Sequence, residues 1–100
     1  MTFSLVTTHH FERRARKFLR KHPNLKSVFA ETLEKLQNDP FQPSLKLHGL
    51  GGILSNIQAV SLTHSYRLTL TVQITEREIV FLDIGSLPPI ILSPRTLKGR

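Results

Sequence analysis

The sequence predicts one α+β domain, ordered β-α-α-β-β-β, with a helical hairpin packed on one face of an antiparallel four-stranded sheet. Three observations predict it. From Tyr66 to Ile74, apolar residues (Tyr66, Leu68, Leu70, Val72, Ile74) alternate strictly with polar ones (Arg67, Thr69, Thr71, Gln73), the period of a half-buried strand. After a polar turn from Thr75 to Glu78, the stretch Ile79 to Ile84 carries apolar residues on both faces, as in a strand covered on both sides. These two runs form an antiparallel hairpin at the centre of the chain. Upstream lie two stretches with apolar residues at helical spacing, joined by a short break, which segregates the helices into one layer.

Each element follows from its residues. Phe3, Leu5 and Val6 mark a short first strand within Met1 to Val6. Thr8 is the expected N-cap of a helix from His9 to about Lys21, with Glu12 in the first turn where the helix dipole favours an acid. Phe11, Ala15, Phe18 and Leu19 form its apolar stripe, and Arg13, Arg14, Arg16, Lys17, Arg20 and Lys21 crowd the remainder. Pro23 ends this helix and suits the start of a second. Leu25, Val28, Phe29, Leu33 and Leu36 keep helical spacing until Asn38-Asp39-Pro40 stops it. Both stripes should pack on the sheet face carrying Leu68, Leu70 and Val72. From Phe41 to Asn56 no period is visible, and Pro43, Gly49, Gly51 and Gly52 read as loop. Gln58 to Thr63 reads as a strand that His64-Ser65 turns into Tyr66. Beyond Gly85 the chain is a Pro-rich, basic tail from Ser86 to Arg100, in which only Ile90, Ile91 and Leu92 suit another short strand.

Composition narrows the function. One hundred residues suffice for one modest core. No apolar run approaches the roughly 20 residues of a membrane-spanning helix, and the first ten residues lack a signal-peptide pattern, so a soluble cytoplasmic protein is expected. The absence of cysteine excludes disulfides and thiolate catalysis. Neither a metal nor a cofactor is expected: no Gly-rich phosphate loop joins a strand to a helix, and the paired His9-His10 has no metal-ligand spacing around it. Fourteen Lys and Arg stand against seven Asp and Glu, a net charge of +7. A small domain so basic points to phosphates or to an acidic protein rather than to a neutral metabolite.

The candidate chemistry gathers around the first strand of the hairpin. Arg67 is the single cation on its polar face. His64 precedes it by three residues, and the loop bearing Lys46 and His48 feeds the neighbouring strand. Such a group could hold a phosphodiester, with Arg67 stabilising charge on the phosphate and an imidazole moving protons near neutral pH. Residue types alone fit equally a surface arginine in a salt bridge beside histidines that cap turns.

Several short motifs follow one another along the chain: the basic helical hairpin ending in Asn38-Asp39-Pro40-Phe41, Leu45-Lys46 with His48 and Leu50 ahead of Gly52, Ala59-Val60-Ser61-Leu62, Tyr66-Arg67-Leu68 and Leu82-Asp83-Ile84-Gly85. In order and spacing, over nearly the whole chain, they resemble those of the bacterial RelE/ParE toxin superfamily. The resemblance implies the RelE-like fold and a toxin neutralised by a cognate antitoxin protein. In the RelE branch it implies ribosome-dependent mRNA cleavage by attack of a ribose 2′-OH on the adjacent phosphate. Arg67 matches the catalytic, phosphate-binding arginine of that branch, and Lys46 and His48 match basic positions that contact RNA or act in catalysis. Catalytic roles are thus expected for Arg67 with His48 or His64. RNA contacts are expected for Lys46 and for Arg13, Arg14, Lys17, Arg20 and Lys21, with ribosome and mRNA as partners. Two positions depart from the pattern. Ser86-Leu87-Pro88-Pro89-Ile90 supplies no His or Tyr after the last strand, and Gln58 replaces an aromatic before Ala59-Val60-Ser61. The resemblance therefore also admits a DNA gyrase poison of the ParE kind, or a weakened toxin homologue that only binds its antitoxin.

Overall fold

A computed structural model describes residues 2–51 and 56–86. The Pro-rich tail beyond Ser86, with the short strand expected at Ile90 to Leu92, lies outside the described residues, as does Gly52. The elements are β1 (Ser4–Thr7), α1 (His9–Lys21), a 3-10 turn (Pro23–Leu25), α2 (Lys26–Asn38), a second 3-10 turn (Pro43–Leu45), β2 (His48–Gly49), β3 (Gln58–Ser61), β4 (Tyr66–Gln73) and β5 (Glu78–Ser86).

Helix α1 begins where its sequence predicts. Thr8 is extended, and its hydroxyl accepts a hydrogen bond from the Phe11 N–H at 3.1 Å, a cap that typically stabilises a helix by about 1 kcal/mol. Phe11, Ala15 and Phe18 are buried beneath it. In α2 the buried Thr32 hydroxyl donates to the Val28 carbonyl at 2.8 Å, so its polar group is satisfied within the helix. The helix stops at Asn38, and Asp39 accepts from the Phe41 N–H across Pro40 at 3.0 Å.

The helices cover one face of a five-stranded sheet in the order β1-β5-β4-β3-β2. The α+β class and the single helical layer are as the sequence predicts, but the sheet is mixed and has an extra strand. β1 runs parallel to β5, from Ser4 opposite Glu78 to Thr7 opposite Phe81, whereas the other pairs are antiparallel. Four residues with no turn to a partner carry no information about strand direction. The extra strand, β2, pairs His48 with Ala59 and Gly49 with Gln58. Two residues are too few to show a period. Just beyond it Gly51 takes a left-handed conformation, with φ of 76°, which glycine adopts without a steric cost.

β5 is also not the strand that its apolar run suggests. Thr69 faces Asp83 but Leu70 faces Phe81, so Leu82 has no partner and the strand bulges there. The bulge restores Ile84, three residues beyond Phe81, to the side of the sheet that faces the helices. Ile79, Phe81 and Ile84 are all essentially buried, while Val80 and Leu82 are half-buried on the other side. With Phe11 stacked on Phe81 at 5.1 Å, these three join Leu68, Leu70, Val60 and Leu36 in the core. A fully buried side chain of this kind contributes about 1.5–3 kcal/mol through its transfer from water.

Since β1 pairs only as far as Phe81, no strand among the described residues lies beside the end of β5 on that side. Side chains from α1 and its cap occupy the edge. Thr8 donates to the Phe81 carbonyl at 3.1 Å and Arg14 to the Ile84 carbonyl at 3.4 Å. Asp83 accepts from Arg14 Nε at 2.9 Å and from the Ile84 N–H at 2.8 Å. Bonds of this kind keep an exposed edge from pairing with another chain.

Candidate functional site

The sheet face turned away from the helices holds a buried cation. Arg67 stands directly between Ser61 on β3 and Gly85 on β5. It is only 7 % exposed, although strand alternation alone places it on a solvated face. The small Ser61 on β3 leaves the long side chain room to lie along the sheet. It extends toward β2, two strands and so about 10 Å away, where its Nη1 meets His48 Nε2 at 3.4 Å. Among the described residues, Nε and Nη2 are buried without any hydrogen-bond partner. Loss of hydration lowers the pKa of this guanidinium below its ordinary value, but arginine keeps its charge at any physiological pH.

The His48 ring is held in one tautomer. Its Nδ1 lies 2.8 Å from the Lys46 carbonyl, which can only accept, so Nδ1 carries the proton. In the neutral ring Nε2 therefore presents a lone pair, which accepts from Arg67 Nη1–H. The turn that sets this geometry is tight. Lys46 ends the second 3-10 turn in a left-handed conformation, with φ of 55°, and this brings its carbonyl back over the His48 ring.

The other predicted residues fall elsewhere. Lys46 and His64 line a separate cleft between α2 and the β3–β4 turn, together with Lys35, Ser61 and Thr63. His64 is exposed in that turn, where Thr63 Oγ accepts from the N–H groups of Ser65 and Tyr66. Ser61 borders the cleft and also stands opposite Arg67, so the two sites adjoin. Arg13, Arg14, Lys17, Arg20 and Lys21 are exposed on α1, in the layer on the far side of the sheet. Of these cations only Arg14 has an acidic partner among the described residues, Asp83. The group expected around the first strand of the hairpin divides in two. Arg67 and His48 come together, Lys46 and His64 come together beside them, and the helical cations stand apart.

This arrangement of strands and helices has known counterparts. A metal-bound toxin from Helicobacter pylori superimposes with a TM-score of 0.71 at 20% identity, covering 90% of this chain and 99% of that one. A YoeB/ParE toxin from Agrobacterium tumefaciens gives 0.71 at 14%, covering 84% and 98%. A chain of the DinJ-YafQ toxin-antitoxin complex from E. coli gives 0.71 at 12%, covering 90% and 98%. The chain has the RelE/ParE toxin fold. No protein-family model matches the sequence, and no curated protein matches it either. At such identities the RelE/ParE likeness is one of architecture, and function has to be argued from the side chains.

Two features of this RelE/ParE-type domain were not read from sequence. Asp83 is the ion-pair partner of Arg14 and lies 3.6 Å from His10, a contact between residues about 70 apart that no local pattern encodes. His22 packs on Phe18 and Tyr66. Its spacing of four from Phe18 was the available signal, since it continues the same helical stripe.

Proposed function

We propose that this chain is the toxin of a type II toxin-antitoxin system and acts as a metal-independent, ribosome-dependent mRNA endonuclease. One observation carries the reading: a buried guanidinium with two unpartnered nitrogens beside an imidazole whose Nε2 lone pair faces it. Burying a cation without an anion is costly, so the side chain would gain by turning outward to a phosphodiester oxygen, which would supply the missing partner. Its binding would take over the Arg67 N–H groups and free His48 Nε2. His48 Nε2 then accepts the proton of a ribose 2′-OH as that oxygen attacks the adjacent phosphorus. The bond from phosphorus to the 5′ oxygen breaks, and this oxygen takes a proton from water. The products are a 2′,3′-cyclic phosphate and a 5′-hydroxyl end. Arg67 stabilises the charge that develops on the phosphate oxygens. Lys46 and His64 line the adjoining cleft and take the next stretch of backbone, while the cations of α1 dock on ribosomal RNA. The fold likeness to one chain of a toxin-antitoxin complex supports a partner antitoxin, whose acidic segment would cover the basic surface.

Primer extension on an mRNA in a reconstituted translation mixture tests this reading. Wild type is expected to give new cuts at ribosomal A-site positions that vanish with Arg67→Ala or without ribosomes. Absence of cuts with folded wild type in excess would overturn it, and DNA damage in expressing cells would then favour gyrase as the target.

A further inference from the structure

A second pocket opens on the other side of β4, where α1 passes the end of β5, and its aromatic residues take no part in the proposed cleavage. Arg14, Lys17, Phe18 and Lys21 recur at spacings of three and four, so they form one stripe of α1. This stripe faces Tyr66 and the segment from Ile84 to Ser86, with His22 just past the helix end. The floor is aromatic. Tyr66 stands edge-on to Phe18 with centroids 4.9 Å apart, and the His22 ring lies 4.7 Å from Phe18 and 5.0 Å from Tyr66. The rim is cationic, and among the described residues neither Lys17 nor Lys21 has a carboxylate at ion-pair distance. Because successive strand residues point to opposite faces, Tyr66 serves this pocket while Arg67 serves the other site.

We infer that this pocket is a nucleotide subsite for single-stranded RNA: one base packs against the Tyr66 and His22 rings, and Lys17 and Lys21 bind the flanking phosphates. Every base offers a π-face, so an aromatic floor with a cationic rim holds a strand with little sequence preference. The inference rests on the reading of the chain as an RNA-binding toxin; it gives Lys17 and Lys21 to single-stranded RNA, leaves the other α1 cations to ribosomal RNA, and uses neither Arg67 nor His48.

The composition supplies a probe. The chain contains one tyrosine and no tryptophan, so its tyrosine emission comes from Tyr66 alone. Titration with a short unstructured RNA oligonucleotide, corrected for absorption with free tyrosinamide, is expected to quench that emission saturably, and inorganic phosphate is not. Arg67→Ala should leave the quenching in place. Lys17→Gln combined with Lys21→Gln should weaken it, and Tyr66→Leu should lower the affinity for labelled RNA about tenfold by anisotropy, with circular dichroism confirming the fold. RNA binding without quenching, quenching by phosphate alone, or no RNA binding at low salt would each overturn the subsite. The two readings fail separately. Cuts in the translation mixture without quenching would remove the subsite and keep the nuclease, and quenching without cuts would do the reverse.

Discussion

Arg67 Nη1 stands 3.4 Å from His48 Nε2, while the other end of that imidazole is fixed 2.8 Å from the Lys46 carbonyl. A permanent cation thus faces the imidazole nitrogen left without a proton, and no carboxylate among the described residues takes part. An arrangement of this kind costs the fold stability, and that cost can be measured.

Replacing Arg67 by an apolar side chain of similar length should stabilise the protein. Arg67→Met removes a buried charge with two unpartnered nitrogens, and a gain of about 1 kcal/mol or more is expected. For a domain of this size that is a rise in Tm of about 4–8 °C per kcal/mol. The same variant should lose mRNA cleavage. Thermal unfolding that shows Arg67→Met less stable than wild type would argue that the guanidinium contributes to the fold.

The pH dependence of this effect follows from its sign. Burial lowers the pKa of Arg67 in the folded state, so between that value and the unfolded one the unfolded chain binds more protons and stability rises with pH. Below the folded value the cost is constant. The advantage of Arg67→Met should therefore be the same at pH 6 and pH 8, and melting curves at both would check it.

Phosphate or sulfate should raise the Tm of wild type and leave that of Arg67→Met nearly unchanged. At ten times its dissociation constant an anion that binds only the folded state stabilises it by about 1.4 kcal/mol. An equal rise in both proteins would place anion binding elsewhere, on α1 for example.

His48→Ala should lower cleavage by about 10²–10⁴-fold, the usual share of a general base. Its effect on stability should stay within about 0.5 kcal/mol because the residue is exposed. His64→Ala, in the neighbouring cleft, should cost far less activity. Cleavage rates for the two variants side by side would decide which imidazole accepts the proton.

The bulge in β5 predicts unequal costs for two residues of the same apolar run. Ile84→Ala should destabilise by about 2–5 kcal/mol, as for a fully buried aliphatic, and Leu82→Ala, half-buried, by about 1 kcal/mol or less. Urea unfolding of both would test the phase shift directly.

Local pattern carried much of this architecture. The Thr8 cap, the limits of α1, the stop at Asn38 and the hairpin strand from Tyr66 were legible because each is decided by neighbours in sequence. The phase of Ile84 was not, since one inserted residue inverts alternation and only the pairing partner reveals it. Neither was the direction of β1, nor the two-residue β2. In the site, Arg67 and His48 were legible as residue types on adjoining segments, but their contact passes over Ser61 on the strand between them, a relation visible only once the strands are aligned. The division of Lys46 and His64 into a second cleft followed from the left-handed turn at Lys46, which residue type does not announce.

The pairing of Ser4 with Glu78 has a consequence for the life of the chain. A contact between residues so distant in sequence is slow to form, because the loop it closes must lose its freedom first. During synthesis the residues of β1 and both helices emerge before any strand able to complete the sheet. Glu78 and Arg67 alike come late, so the nascent polypeptide cannot close its sheet until β5 has been made, well after both helices.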